Sequence, residues 1–443
     1  MDKPSPAETR QQLPDSPYQS PSAEPQPAAQ LQLDRITHPV FILSYVANLT
    51  LVTANTATFI FADWIAWLAE NGNSFGTYQE ELPGRIIQYG IAAALCWRVF
   101  LGQAIDRFGV RQVWIAMNLL ALGGMCLFAS LTELNGLAIV GRILFVTGVG
   151  GMFTCGTFHI QSCVVEHRRT EFIALLGSSG FVGMVLGPHL AELIISLTGE
   201  NRDEYFPLIF GVSAGLMVAV LLCVVMVTRG ITRPKRTPRP SLLKLMRAYW
   251  PGLIMGVAMA MGLTFVIPSV FLARFNQHEQ LGGIATYWTA YAVMAFLFRV
   301  FTAALSQKVG RFRLVSLGLL TQGVGLWLLI PVTEWWHLIF SAVLCGFGHA
   351  LLFPSIVSLG TQPFPAEYRG SGTNLTLGCF DLGAGLSAPL LGRIIDMQQF
   401  DGVGYRPMFM VAGLIPFLMG IIWLLAKRNQ VDSHERPAES SEK

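Results

Sequence analysis

Residues 98–111 read Arg98-Val-Phe-Leu-Gly102-Gln-Ala-Ile-Asp106-Arg107-Phe-Gly109-Val-Arg111, a polar turn between two apolar runs. The turn returns in weaker form 201 positions later. Arg98-Val99-Phe100 becomes Arg299-Val300-Phe301, Arg107 becomes Lys308 and Gly109 becomes Gly310. The same offset carries Glu166 to Glu367, Arg168 to Arg369 and Pro188 to Pro389. One fixed offset over so long a stretch predicts two copies of one unit, joined in the same order. Such a repeat fixes the architecture before any local reading does.

Composition says what the unit is made of. The chain has 443 residues, 52% hydrophobic and only 13% charged. An ordinary soluble domain carries about 25% charged residues, so most of this chain is expected to meet lipid. The mean hydropathy of +0.50 agrees. The net charge of +3 is too small to suggest nucleic acid as a partner. Seven cysteines lie in or beside apolar runs, without CxxC or metal-ligand spacing; they read as reduced, buried small hydrophobes, and no metal is expected. No Walker A, GxGxxG or HExxH sequence occurs, so neither ATP nor a cofactor is expected. Gly211-Val-Ser213-Ala-Gly215 fits the hydrolase elbow pattern, but that elbow needs a strand before it, and here it lies inside an apolar span. The sequons at Asn48 and Asn374 also fall within spans.

A membrane-crossing helix needs about 20 mostly apolar residues. Twelve stretches qualify, near 39–62, 84–103, 112–131, 137–159, 172–197, 206–228, 249–273, 284–304, 313–331, 337–359, 373–395 and 406–427. The fold class expected is an all-α membrane protein with twelve transmembrane helices in two six-helix pseudo-symmetric halves, residues 37–228 and 249–427. Residues 1–36, rich in Pro, Gln, Ser and Ala, read as a disordered tail without a signal peptide. Residues 428–443 read as a second tail. Bases gather in the even-numbered connections: Arg107, Arg111, Arg168, Arg169, Lys308, Arg311, Arg313 and Arg369. The central connection, 229–248, holds seven more and no acid. The odd connections are acidic or neutral. Positive charge marks the cytoplasmic side, so the linker and both termini are expected there. Trp64, Trp67, Trp335 and Trp336 are expected at the outer ends as interfacial anchors.

At this point the chain resembles the major facilitator superfamily, over nearly everything between the tails. The stretch Gly102 to Arg111 is similar to that family's GxLaDrxGrk loop. The resemblance implies that Gly102 lets the second helix pack closely on the eleventh. It further implies that Asp106 accepts hydrogen bonds at the cytoplasmic end of that contact, and that Arg107 and Arg111 add charge pairs that hold the outward-facing state, with Gly109 a member of the same motif. Gly180-Phe-Val-Gly183-Met-Val-Leu-Gly187-Pro188 resembles the helix-5 motif of proton-coupled exporters, although His189-Leu-Ala191-Glu192 departs from its continuation. Gly183 and Gly187 form a small-xxx-small face, and Pro188 bends the helix. Gly141-Arg142 opens a helix where exporters carry a cavity arginine tied to proton transfer.

Ionisable groups inside spans are costly and therefore candidates for function: Arg142, His189, Glu192, His349 and Asp381. Asn48 and Asn55 share a face of the first helix. Arg98 and Arg299 are expected to snorkel or anchor the gates, and Asp381 to approach the second helix near Arg98. Arg142 and Glu192 lie at equal depth on antiparallel neighbours, which predicts a pair or a shared network. The chain thus reads as a monomeric secondary transporter of the cell membrane, not an enzyme. It would move a small molecule by alternating access, with proton-coupled efflux first, proton-coupled uptake of an organic anion second, and a non-transporting receptor or scaffold as the reading of another class.

Overall fold

The structure, a computed structural model, describes residues 33–72, 80–165, 168–230, 240–365, 368–397 and 404–435. The expected disordered tail before Leu33, positions 231–239 of the linker and the end after Glu435 lie outside the described residues. The rest is helical. Among the described residues the only strand-type pairing is an isolated bridge between Leu33 and Val164. It is clipped by Leu33 N donating to Cys163 O at 2.7 Å.

The helices are α1 Pro39–Ala57, α2 Phe61–Asn71, α3 Glu81–Phe108, α4 Val110–Ser130, α5 Gly136–Cys163, α6 Arg169–Leu197, α7 Arg202–Val227, α8 Leu242–Ala248, α9 Ile254–Val266, α10 Leu272–His278, α11 Ala285–Val309, α12 Arg311–Trp327, α13 His337–Thr361, α14 Arg369–Met397 and α15 Tyr405–Glu435. A short 3-10 turn, Thr58–Ile60, joins α1 to α2, and a π-turn containing Pro268 joins α9 to α10. Nine helical stretches among the described residues are long and apolar enough to cross a membrane. Helices α3 and α11 are long but more polar, and α12 has 17 residues.

Packing follows a pattern. Helix α1 lies against α6 and α7, α3 against α5, and α4 against α5 and α7. Later in the chain α9 lies against α14 and α15, α11 against α13, and α12 against α13 and α15. The largest contacts between the groups are α3 with α14 and α6 with α11, with a smaller one between α10 and α2. The sequence repeat is visible in the backbone at its most demanding point. Gly109, between α3 and α4, has φ 85° and ψ 150°; Gly310, between α11 and α12, has φ 84° and ψ 142°. That left-handed conformation suits glycine because a Cβ would clash. Large apolar side chains such as Leu193, Leu222, Phe340 and Leu390 point outward, as lipid contact requires.

Several sequence expectations need correction. Residues 61–71 continue the first span rather than leaving it, so Trp64 and Trp67 are buried, at 0% and 4% exposure. They pack on Phe128, Phe210 and Phe206 instead of an interface; Trp335 and Trp336 are exposed. The linker contains helix α8, capped by Ser241 and seated through Leu245. Helix α15 runs eight residues past the expected boundary at 427, because Lys, Arg and Gln hold helix as well as Leu does once the first turns are nucleated. All cysteines are free, but Cys96 and Cys126 are exposed on helix surfaces rather than buried.

Candidate functional site

A cavity of about 270 Å³ lies where α1, α3, α5, α9 and α14 converge. Its walls carry Asn55, Trp97, Arg98, Arg142, Thr147, Ser269 and Asp381, set among Phe59, Phe61, Phe145, Phe265 and Phe380. Polar groups are few and convergent, and the remaining surface is aromatic or aliphatic, the usual character of a small-molecule site.

Two arginines in this wall have opposite circumstances. Arg98, on α3, forms an ion pair with Asp381 on α14. Its Nη1 also donates to Asn374 Oδ1 at 3.1 Å, and Asn374 Nδ2 donates back to Arg98 O at 3.2 Å. Of the two roles expected for Arg98, snorkelling does not fit, because its charge is met inside the bundle by Asp381, which approaches α3 near Arg98 as expected. Arg142, on α5, has no carboxylate within ion-pair distance among the described residues. Its guanidinium lies 4.5 Å from the Phe61 ring centre and 5.9 Å from that of Phe145. Its Nε has no hydrogen-bond partner. Placing a charge at mid-bilayer costs about 2.5–3.5 kcal/mol on insertion scales, and a cation–π contact offsets roughly 0.5–2 kcal/mol. The site is left short of negative charge. Under the 201-residue offset Asp381 corresponds to Gly180, so the counterpart of Arg98, Arg299, finds no acid there. Arg299 lies instead over the Phe181 and Phe353 rings.

Arg142 and Glu192 do not meet. Glu192 Oε1 accepts from Ala285 N at 2.7 Å, at the start of α11, and packs on Gly283. His189 Nε2 meets Thr289 Oγ1 at 3.0 Å. Both residues tie α6 to α11, whereas Arg142 faces the cavity. The expected pair or shared network between them is therefore corrected: their side chains face different neighbours. His349 Nδ1 meets Tyr291 OH at 2.7 Å within an aromatic surround. Asn48 Nδ2 donates to Ser179 Oγ at 2.7 Å and so joins α1 to α6, while Asn55 borders the cavity. A Cβ on Gly183 would come within 2.7 Å of Val52, and one on Gly187 within 2.7 Å of Ala57 N, so this face of α6 beds directly on α1. Pro188 lies inside α6 just after that contact.

At the Gly102 turn the contact implied by the resemblance is not made in this conformation. A Cβ on Gly102 would meet nothing within 4 Å. Helices α3 and α14 touch at their other ends, where a Cβ on Gly84 would lie 2.7 Å from Pro389 Cα. They cannot close at both ends at once without losing the cavity between them. Neither Arg107 nor Arg111 has an acid within ion-pair distance among the described residues, and Arg107 lies over Phe108. The side chain of Asp106 lies outside the described residues.

The closed end is held by a cluster that sequence reading missed. Arg274 of α10 reaches Glu80 Oε1 at 3.0 Å and Asp63 Oδ1 at 3.4 Å. Gln277 Nε2 donates to Asp63 Oδ2 at 2.9 Å, and Tyr405 OH donates to Glu80 at 3.2 Å. Asp396, at the end of α14, accepts from Glu80 N at 2.6 Å and Glu81 N at 2.8 Å. It thereby caps the orphan N–H groups of α3. Phe59, Phe265 and Trp288 pack together on the same side of the cavity, with Phe59 only four residues before Asp63. Acids and an arginine spread over more than 300 positions leave no local sequence signal.

Comparison with known proteins agrees with this geometry. The pattern of the Major Facilitator Superfamily matches residues 49–288 and again 253–443. The chain belongs to this superfamily. An uncharacterized MFS-type transporter of Salmonella typhimurium is 24% identical over 76% of this chain and 85% of its own length. The uncharacterized MFS-type transporter YhhS of Escherichia coli is 23% identical over 81% of this chain and 86% of its own. Among solved structures, a peptide transporter POT in complex with sulfate superposes with a TM-score of 0.74 at 16% identity, covering 90% of this chain and 97% of that one. The nucleoside transporter NupG superposes with a TM-score of 0.68 at 11% identity, covering 87% and 99%. At such identities these two establish the fold alone. As an MFS member the chain is a multi-pass membrane protein that transports a small molecule, and its relatives are transporters rather than enzymes.

Proposed function

We propose that this MFS protein is a proton-coupled secondary transporter with twelve spans in two six-helix halves, residues 37–228 and 249–427, joined by a cytoplasmic linker. The recurring helix pairings and the twin glycine turns at Gly109 and Gly310 support that layout. The bases near both turns and in the linker assign that end to the cytoplasm. The cavity then faces the cytoplasm, and the Arg274 cluster is the closed outer gate.

The observation that carries proton coupling is the Arg98–Asp381 pair between α3 and α14. These two helices must part and meet as access alternates. A proton on Asp381 removes the counter-charge of Arg98 and weakens one link between them. Charge on the carboxylate and separation of the helices therefore depend on each other, which is what coupling requires. Efflux is the first direction, supported by the exporter-like face Gly183, Gly187 and Pro188 seated on α1. Uptake of an organic anion with protons is the second, favoured by Arg142.

Energised everted vesicles supplied with a metabolite mixture test this, with accumulation read by mass spectrometry. A solute should accumulate, the accumulation should vanish with a protonophore, and Asp381→Asn should keep downhill exchange while losing the uphill component. Undiminished uphill accumulation by Asp381→Asn rules the coupling role out. Accumulation only in right-side-out vesicles selects uptake.

A further inference from the structure

We infer that the cavity binds a small organic anion that presents carboxylate-like oxygens to Arg142 and an apolar or aromatic body to the surrounding rings. The inference rests on reading this cavity as the transport site. Three observations carry it independently of transport direction.

The first is charge. The ionisable side chains in the cavity wall are Arg98, Arg142 and Asp381. Arg98 and Asp381 neutralise each other, so the wall keeps one net positive charge at Arg142.

The second is hydrogen-bonding polarity. Arg142 Nε, Trp97 Nε1 and Thr147 Oγ1 are buried without a partner, and all three residues line this cavity. Guanidinium and indole nitrogens can only donate, and a hydroxyl can donate. The two nitrogens can be satisfied only by an acceptor, which a ligand oxygen would supply after a small side-chain shift, whereas the Thr147 hydroxyl serves either kind of ligand. Buried polar groups left unsatisfied in a folded protein call for such an explanation.

The third is shape. The guanidinium lies near the Phe61 and Phe145 rings, and Phe265 and Phe380 also line the cavity. Those two rings lie 5.9 Å apart centre to centre. At about 270 Å³ the space is near the lower end of ligand pockets, roughly 300–1,000 Å³. A planar fork beside aromatic faces is the arrangement that favours a carboxylate, sulfonate or phosphonate over a halide. A compact aromatic monoanion meets all three demands.

The test uses purified full-length protein in detergent, with thermal stabilisation and its concentration dependence as readout. The probes share one ring and differ in charge and polarity: benzoate, benzenesulfonate, benzamide and benzylammonium. Benzoate and benzenesulfonate should stabilise the protein at millimolar concentration, benzamide, which brings a carbonyl oxygen without charge, should do so more weakly, and benzylammonium should not. Arg142→Gln should weaken benzoate binding about tenfold or more, the loss expected when a hydrogen bond to a charged group goes. Arg142→Lys, which keeps the charge, should weaken it less. Asp381→Asn should tighten it, because Arg98 then loses its counter-ion. Elution of each variant as a single sharp species shows that it is folded, and Arg142→Lys keeps the test open if Arg142→Gln is not. No response to either anion, equal response to benzylammonium, or unchanged affinity in a folded Arg142 variant overturns the inference. The assay needs no gradient. Protein that binds benzoate yet moves nothing in vesicles defeats the transport reading and leaves this one standing.

Discussion

Single residues at the proposed outer gate hold acids and a base drawn from distant parts of the chain. Asp63 and Glu80 are each buried, at 2% and 3% exposure, and both pair with Arg274, while Asp63 also pairs with Arg202 at 3.6 Å. Removing one partner from a buried ionic cluster leaves uncompensated charge, at a cost of about 3–5 kcal/mol. That cost falls only on the state in which the cluster is assembled. Arg274→Gln is therefore expected to shift the protein towards the outward-open state rather than to unfold it. The measurement is labelling of a cysteine introduced at Ile91, beside Gly385 on the cavity wall, by an impermeant thiol reagent added from outside. The background should first lack the native cysteines. Labelling should accelerate severalfold over the parent; an unchanged rate would mean the cluster is not a lock.

Two glycine positions on helices separate packing from gating. Gly187 meets α1 so closely that a Cβ would stand 2.6 Å from Thr53 O. Helix α6 must move away to accept Val there, and overpacking of this kind costs about 1–3 kcal/mol. Gly187→Val should lower the melting temperature and the yield of folded protein. Gly102→Val meets nothing in the present conformation. It should fold with an unchanged melting temperature but transport slowly, because the added side chain obstructs the state in which the cytoplasmic ends of α3 and α14 come together. If both variants lose stability alike, the two contacts do not differ in this way. Asp106, one turn beyond Gly102, belongs with the second class: Asp106→Asn is expected to slow transport far more than it reduces folded protein.

For the whole molecule, one gate is shut and the other is spread. The α3–α14 and α6–α11 contacts are the seams about which the proposed halves rock, and most side chains elsewhere keep their neighbours during that motion. Spin labels at Arg85 and Arg393 report the outer ends of α3 and α14; labels at Gln103 and Ser371 report the cytoplasmic ends. In Arg274→Gln the first distance is expected to lengthen and the second to shorten together. A change in one pair without the other would rule out rigid-body rocking.

The amino-acid sequence by itself determined the helical, membrane-embedded class, most span positions, the repeat and the family. Those follow from local quantities: runs of apolar residues, loop charge and residue types at fixed spacing. It also marked Arg142 and Asp381, since a charge within an apolar run is visible wherever its partner lies. Only the tertiary structure decided which face each charge presents. Arg142 and Glu192 were expected at similar depth, yet they look in different directions, because helix rotation is set by packing on several neighbours at once. The cluster of Asp63, Glu80, Arg274, Asp396 and Tyr405 was illegible for the same reason: it exists only when five separate helices arrive at one place. The conformation was hidden too. Gly102 and Gly84 are both small residues suited to close approach, and which one is in contact depends on the balance between two arrangements of the same chain.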